Sequence, residues 1–472
     1  MKFNKKLAVA VSGAVLLMAG QIALADSTTD IVDALVSKGV LTEEEGKLIS
    51  KGAVSKAKAD EKANKSRISV GSFIDNATMY GDIRGRYELR NQDLASNGVN
   101  YDANRSRYKI TLGVETKAGN WYSDLAVAMG KGGRSDNVTF GDGYVGADPG
   151  MSTKDAQILY VKRAMFGWKP TEWLAVEAGR MKNPLYMVNA MVFDHDIVME
   201  GLSEKLNYKM GETTLFANLG QWIYTGSGIA GNDTQGTTSR QNMVLAFQAG
   251  LEQGFTDNLS AKGGIGYYDY TANGMNAKGV QQVSFVPYVG NTDVTTATAA
   301  AAGVNDLAIL DVLGELNYMA TSNIGVRPYA EYAYNTLGSD RKKAAGASVV
   351  GLANDDSAWL VGISVGSAKD FKSFKAKKLS KDDWNLNLWY QSVGTYALDP
   401  NAIDSDIFDG KLNMEGTSLK AQYNIEDNVA LNFTGSWGDR KNSQYGTTYS
   451  KADIGHNGTN YELYQFDVTY KF

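Results

Sequence analysis

The chain has 472 residues, of which 43% are hydrophobic, with 51 glycines, 26 tyrosines and 8 tryptophans but only 6 prolines. It contains no cysteine, which excludes disulfides, thiolate nucleophiles, iron–sulfur clusters and c-type haem attachment. The net charge of −5 and the absence of a basic, aromatic-rich motif argue against nucleic acid as a partner. We expect no cofactor.

The first 25 residues have the pattern of a secretory signal peptide. Lysines precede an apolar run from Leu7 to Met18, and Ala23-Leu24-Ala25 forms a small-x-small cleavage site before Asp26. A retained membrane helix is the alternative, but it needs about 20 apolar residues. Ser12 and Gly13 interrupt the run, so we predict cleavage.

Residues 26–77 differ from the rest of the chain because their apolar positions follow helical spacing. Thr42 and Glu45 form a capping box ahead of Leu48 and Ile49. We predict a short helical segment followed by a linker. A flexible spacer remains the alternative.

Residues 78–472 contain recurring segments of about ten to thirteen residues with apolar and polar alternation. Short turns such as Lys117-Ala118-Gly119 alternate with long connectors such as Ala272 to Asn305. This alternation predicts an all-β fold, a transmembrane antiparallel β-barrel of about 16 strands. The strands are predicted to begin near Thr78, Arg105, Asn120, Ala156, Glu172, Met199, Glu212, Arg240, Asn258, Asp306, Ile324, Asp356, Asp382, Lys411, Asn428 and Tyr461.

The last predicted strand alternates strictly. Its apolar positions are Tyr464, Phe466, Val468, Tyr470 and Phe472. In a closed barrel within lipid, this strand would pair with the first one and turn its apolar face to acyl chains. The alternative is an ordinary terminal strand of a soluble sandwich, which would leave a long apolar edge exposed.

This strand, ending in Phe472, resembles the C-terminal strand of bacterial outer-membrane porins, which the barrel-assembly machinery recognises. The basic stretch ending in Lys381-Asp382-Asp383-Trp384, and Val198-Met199-Glu200-Gly201-Leu202, resemble a proteobacterial putative-porin family. The resemblance implies a bacterial outer-membrane location, with residues 26–77 in the periplasm. It also implies contact with outer-membrane lipid and lipopolysaccharide, assembly as a homotrimer, and passive diffusion of small hydrophilic solutes and ions. The alternative is a plugged or structural barrel that acts as an adhesin, receptor or envelope anchor.

Side chains that alternate with the lipid-facing ones are predicted to line the lumen, where wall charges determine selectivity. This set comprises Asp82, Arg84, Arg86, Glu88 and Arg90 on the first strand, Arg105, Arg107, Lys109 and Glu115 on the second, and Asp311, Glu315, Arg327 and Glu331 on later strands. The basic members predict an arginine ladder and a mild anion preference. The alternative is a static network in which the arginines neutralise Asp82, Glu88 and Glu115.

The connector Lys182 to Val198 follows the fifth predicted strand, the position of the inward-folded loop of the general porins. Its apolar middle would not suit an exposed loop. We predict that Asp194, His195 and Asp196 lie at a constriction, with the two aspartates opposite the arginine ladder. The alternative is a loop that latches onto a neighbouring subunit.

Catalysis has little support, because the chain has only two histidines, His195 and His456. We therefore predict that the protein is not an enzyme and has no metal site. The alternative is a barrel hydrolase whose catalytic groups are all carboxylates. Lys162 and Arg163 are adjacent in one strand, so one of them is expected to point against the inward pattern.

Overall fold

A computed structural model describes residues 74–93, 100–130, 136–141, 158–225, 242–271, 307–344, 354–367, 380–399, 402–442 and 459–472. The predicted signal peptide and all but the last residues of the predicted segment 26–77 lie outside these ranges. The basic stretch 368–379, most of the long connectors and His456 also lie outside them.

The described residues form one sheet of seventeen strand segments. The strands are β1 Asn76–Asp93, β2 Asn100–Ala118, β3 Trp121–Gly130, β4 Val138–Thr139, β5 Ile158–Thr171, β6 Leu174–Lys182, β7 Val198–Met210, β8 Thr213–Thr225, β9 Asn242–Thr256, β10 Leu259–Tyr270, β11 Ala308–Met319, β12 Ile324–Asn335, β13 Ser357–Ser367, β14 Trp384–Val393, β15 Met414–Glu426, β16 Val429–Arg440 and β17 Asn460–Lys471. A short helix, α1, spans Gly338–Ala344, and a 3-10 turn spans Ile407–Gly410. In the described part of the chain, no helix is long and apolar enough to cross a membrane.

The sheet is closed and antiparallel, which confirms the predicted barrel. The segment β4 has two residues, and the other sixteen strands have between nine and nineteen, so the predicted strand number is also confirmed. Each long strand pairs with its sequence neighbour, and β1 pairs with both β2 and β17. At this seam Gly81 N donates to Phe472 O at 3.0 Å, and Phe472 N donates to Gly81 O at 3.1 Å. The closed sheet thus leaves neither of these two strands with an unpaired edge.

The outer face of the barrel is apolar, as β17 illustrates. Phe466, Val468, Tyr470 and Phe472 are between 43% and 52% exposed, whereas the intervening Gln465 is 1% exposed. Tyr464 is half-buried. Since an apolar outer band suits lipid, this face carries the predicted membrane-contacting residues. Recognition of the strand by the assembly machinery stays a prediction.

A β-bulge changes the inner wall at β5. Ala126 of β3 pairs with Arg163 and Val127 pairs with Val161, so Lys162 is the extra residue. Such a bulge lets two consecutive side chains point to one side. Lys162 and Arg163 are both buried, at 7% and 6% exposure. The expectation that one of them points against the inward pattern is therefore wrong.

The seam between β1 and β17 has little space beside Gly81. A Cβ at this position would lie 2.5 Å from the Phe472 ring and 2.6 Å from Thr111 O. We expect Gly81→Ala to lower the free energy of unfolding by about 1–3 kcal/mol, measured by denaturant unfolding of the barrel in detergent micelles. Gly85→Ala is the control, because no heavy atom lies within 4 Å of its added Cβ. Equal stability of the two variants would contradict tight packing at the seam.

Candidate functional site in the barrel interior

The inner wall of β1 and β2 carries a group of arginines that we name the arginine cluster: Arg84, Arg86, Arg90, Arg105 and Arg107. Alternation places them on the face opposite the exposed Ile83 and Ile110. Four of the five lie close to the carboxylate of Glu88, which is fully buried. The cluster is therefore built around one central acid.

Glu88 receives hydrogen bonds and ion pairs from both neighbouring strands. Its Oε1 lies 2.7 Å from Arg90 Nε and 2.6 Å from Arg105 Nη2. Its Oε2 lies 3.6 Å from Arg107 Nη1 and 3.9 Å from Arg86 Nη1, and accepts from Gln465 Nε2 at 2.9 Å. This arrangement is the neutralising network foreseen as the alternative, but only for Glu88.

The other two acids named in that alternative lie elsewhere. Glu115 is exposed near the tight-turn end, where its Oε1 lies 3.6 Å from Lys182 Nζ. Asp82 is half-buried on the same inner face and forms no ion pair with a described residue. Arg105 keeps 32% of its side chain exposed, so one member of the cluster still faces open space.

Residues 183–197, which connect β6 to β7, form a first inward loop inside the barrel. Its apolar side chains Leu185, Val188 and Phe193 are at most 7% exposed. Phe193 packs edge-on against Tyr268 of β10, with ring centroids 5.1 Å apart. Tyr186 N donates to Gln248 Oε1 at 2.7 Å. Strands β9 and β10 thus contact the apolar loop side chains, for which the sequence alone indicated no packing partner.

Residues 394–399 and 402–413, from the connection between β14 and β15, form a second inward loop that sequence reasoning missed. Tyr396, Leu398 and Phe408 are fully buried. Arg341 of α1 is also fully buried, and its Nη1 donates to the carbonyls of Tyr396 and Leu398 at 3.2 and 3.1 Å. The apolar stretch Tyr396-Ala397-Leu398 could have predicted this loop, because apolar residues within a connector also predicted the first inward loop.

The two inward loops contact each other. Asp194 N donates to Ala402 O at 2.6 Å, and Ser405 N donates to Asp194 Oδ2 at 3.2 Å. Asp194 therefore joins the loops rather than facing the arginine cluster, contrary to the prediction. The acids that oppose the cluster come from the second loop: Asp406 Oδ2 lies 2.8 Å from Arg86 Nη1, and Asp409 pairs with Arg90.

Asp196 does face basic residues of this wall, including Lys109, which the sequence placed beside the arginines. Its Oδ1 lies 3.8 Å from Lys109 Nζ and 3.8 Å from Lys162 Nζ. Asp136, from the connector between β3 and β5, pairs with the same two lysines. The side chain of Asp196 is 47% exposed, so this group of charges borders the open part of the interior.

The predicted pore-lining residues of β11 and β12 lie beneath the first inward loop. Asp311, Glu315, Arg327 and Glu331 are all at most 7% exposed. Arg327 Nη1 lies 2.8 Å from Glu315 Oε2 and donates to Val188 O of the loop at 3.4 Å. All four are buried, Arg327 contacts the loop directly, and the more exposed charges lie on the wall of β1 to β6.

His195 is exposed at the tip of the first inward loop, between Asp194 and Asp196. No group of three or more histidine, aspartate or glutamate residues within the described ranges is arranged to hold a metal ion.

Residues 88–306 match the model of a family described as "Putative porin". Among solved structures, the outer-membrane channel DcaP of Acinetobacter baumannii is similar at 12% identity and a TM-score of 0.41, covering 86% of this chain and 99% of that chain. OprB of Pseudomonas putida is similar at 11% identity and a TM-score of 0.46, and the match covers 84% of this chain and 94% of that chain. OmpF of Salmonella typhi, in complex with daunomycin, is similar at 11% identity and a TM-score of 0.43, and the match covers 86% of this chain and 100% of that chain. No curated protein matches the chain.

The family match confirms the resemblance to bacterial porins that the sequence predicted. Together with the closed barrel and its apolar outer face, it identifies the chain as a multi-pass β-barrel of the bacterial outer membrane.

Two aspartates of the inward loops have opposite pKa shifts. Burial and the neighbouring carboxylate of Asp404 raise the pKa of Asp194 to about 7 from the usual 3.8. Burial also opposes the ionisation of Asp406, but Arg86 and Arg90 hold its pKa well below the usual range. Below about pH 7, the folded protein therefore favours a protonated Asp194 together with an ionised Asp406.

The raised pKa of Asp194 predicts a pH-dependent stability. Between the unfolded pKa of 3.8 and the folded pKa of about 7, the folded state binds the extra proton, so this residue lowers the free energy of unfolding as pH rises. Asp194→Asn should remove this decrease in the free energy of unfolding. It should raise the unfolding midpoint in denaturant more at about pH 8 than at about pH 4, where the wild-type carboxyl is itself largely protonated.

The matched control for this comparison is Asp257→Asn in the exposed tight turn between β9 and β10. This variant makes the same substitution at an exposed position outside both inward loops. A stability difference for Asp194→Asn that does not vary with pH would contradict the shifted pKa.

Proposed function

We propose that this outer-membrane barrel is a passive diffusion channel for small hydrophilic solutes and ions, with a mild preference for anions. The proposal includes assembly as a homotrimer in contact with outer-membrane lipid and lipopolysaccharide, after insertion by the barrel-assembly machinery. No catalytic step forms part of it. The single observation that carries the proposal is a line of partly exposed charged side chains along one inner wall.

This line extends along the inner wall of β1 to β6 and includes charges from both inward loops. Its side chains include Asp409 at 45% exposure, Arg105 at 32%, Asp196 at 47% and Glu115 at 53%. Charged groups are stable inside a barrel when they are paired or hydrated. Because these groups keep much of their surface open, they support an aqueous path along this wall, while the first inward loop packs against β9 to β12.

The charge of this wall favours anions slightly. Within the described residues, the charges around the arginine cluster, Asp196 and Glu115 comprise nine basic and eight acidic side chains: Arg84, Arg86, Arg90, Arg105, Arg107, Lys109, Lys162, Lys182 and Lys411 against Asp82, Glu88, Glu115, Asp136, Asp196, Asp406, Asp409 and Asp467. Charges on a pore wall act over a longer distance than in bulk water because the surrounding medium has a low dielectric constant. A small positive excess therefore supports a mild selectivity.

A second candidate function is a plugged or structural barrel that acts as an adhesin, receptor or envelope anchor. The observation that favours it is the buried apolar cluster formed by both inward loops, with Phe193, Leu398 and Phe408 among its members. A barrel filled across its whole width would pass no solute.

Planar-bilayer recording separates the two functions. If the aqueous path is continuous, the purified protein should give stepwise conductance in potassium chloride, because barrels of 16–18 strands are wide enough to hold an aqueous channel. Heat-denatured protein is the control and should give no steps. A bilayer that stays silent with folded protein would favour the plugged barrel.

The double variant Arg105→Ala and Arg107→Ala tests the anion preference. Loss of two basic groups beside Glu88 should shift the reversal potential in a salt gradient towards cations. The shift should shrink at high salt, because the Debye length falls from about 10 Å at 0.1 M to about 3 Å at 1 M. Lys381→Ala is the control, since Lys381 pairs with Glu426 on an exposed turn. An unchanged reversal potential at low salt would show that the two arginines do not act on passing ions.

A further inference from the structure

A cavity of about 410 Å³ indents the same inner wall, closer to the tight-turn end. Its lining comes from β1, β2, β3, β5, β6 and β7, with residues near the start of β1 and the end of β2. The volume falls within the range of about 300–1,000 Å³ that is usual for small-molecule sites. The cavity also borders the charged line, because Glu115 and Lys182 belong to its lining.

The floor of the cavity is apolar. Met165 and Met181 lie there, and Met181 is fully buried. The hydroxyl of Tyr122 donates to Glu177 Oε1 at 2.7 Å, which satisfies its polar group and leaves the ring as apolar surface. The thioether of Met165 and the phenol ring of Tyr122 form a surface that suits a flat apolar group, because methionine sulfur contacts aromatic rings favourably.

The rim of the cavity carries three lysines with different degrees of pairing. Lys205 Nζ lies 2.5 Å from Glu177 Oε1, so it forms a direct ion pair. Lys182 Nζ lies 3.6 Å from Glu115 and 3.7 Å from Asp124, both beyond hydrogen-bond distance. Lys117 forms no ion pair with any residue that the structure describes. Two ammonium groups therefore have hydrogen-bond donors to offer a ligand.

The acids of the cavity are not equally available. Asp124 accepts from Arg163 Nε at 2.7 Å, and Glu177 accepts from both Tyr122 and Lys205. Glu115 is 53% exposed, and among the described residues it forms an ion pair only with Lys182, at 3.6 Å. A bound anion could therefore replace Glu115 as the partner of Lys182 without breaking a strong pair.

We propose that this cavity is a subsite for solutes that join a carboxylate to an aromatic or similarly flat apolar body, with benzoate as the simplest example. The carboxylate binds between Lys117 and Lys182, and the ring lies on Met165 and Tyr122, with the buried Met181 behind them. The subsite rests on the proposed channel for its role, since it would hold such solutes on their way along the charged wall.

Calorimetric titration of the folded protein in detergent micelles tests the subsite without any requirement for conductance. Benzoate should bind, whereas benzamide, its neutral analogue of the same shape, should bind at least about tenfold more weakly. Lys117→Gln and Lys182→Gln should each weaken benzoate binding by about tenfold. Lys381→Gln, which changes a lysine outside the cavity, should leave benzoate binding unchanged.

Glu115→Gln provides a variant with the opposite expected result. Removal of the competing carboxylate should strengthen benzoate binding several-fold, and a variant that merely misfolds cannot produce a gain. Equal binding of benzoate and benzamide, or lysine variants that bind benzoate like the wild type, would overturn the subsite.

The channel and the subsite can fail separately. Stepwise conductance without benzoate binding rejects the subsite and retains the channel. Benzoate binding with a silent bilayer retains the subsite and rejects the channel.

Discussion

The pairing of β1 with β17 is the constraint on which the rest of the molecule depends. A sheet in lipid must satisfy every backbone group internally, and closure at this seam removes both edges. Once the barrel is closed, the two-residue period of each strand assigns every side chain to lipid or to the interior. The apolar row of β17 and the charged row of β1 are therefore two consequences of the same closure.

The seam also organises the interior. Arg86 contacts Asp467 of β17 through Nε at 2.8 Å and Asp406 of the second inward loop through Nη1 at 2.8 Å. One side chain thus connects the closing strand to the loop that narrows the lumen. The second loop in turn holds the first through Asp194 and Ser405. The first loop lies on Arg327 and Tyr268 of the far wall. The interior is consequently asymmetric: the first loop packs against β9 to β12, the second loop pairs with Arg86 and Arg90 of β1, and Arg105 and Glu115 of β2 keep exposed charge.

Much of the fold could be predicted from the sequence because strand alternation and turn spacing are local signals. The first inward loop could be predicted because its apolar stretch is continuous. In the second loop, aspartates such as Asp404 and Asp406 interrupt the apolar residues, so the segment resembles an exposed connector. Its burial depends on Arg86 and Arg341, which are distant in sequence, and no local pattern reveals those contacts. The inward orientation of both Lys162 and Arg163 likewise depends on the β-bulge in β5. This bulge arises from the pairing with β3, so the sequence of β5 alone does not reveal it.

Thiol labelling of single-cysteine variants in lipid vesicles tests most directly whether water reaches the charged inner wall. The chain contains no cysteine, so an introduced thiol is the only reactive one. Arg105 and Ile110 lie on the same strand, with Arg105 towards the interior and Ile110 on the exposed apolar face. Arg105→Cys should react with a charged, membrane-impermeant thiol reagent, whereas Ile110→Cys, covered by lipid, should not. Fast labelling of Ile110→Cys with no labelling of Arg105→Cys would contradict a hydrated inner wall.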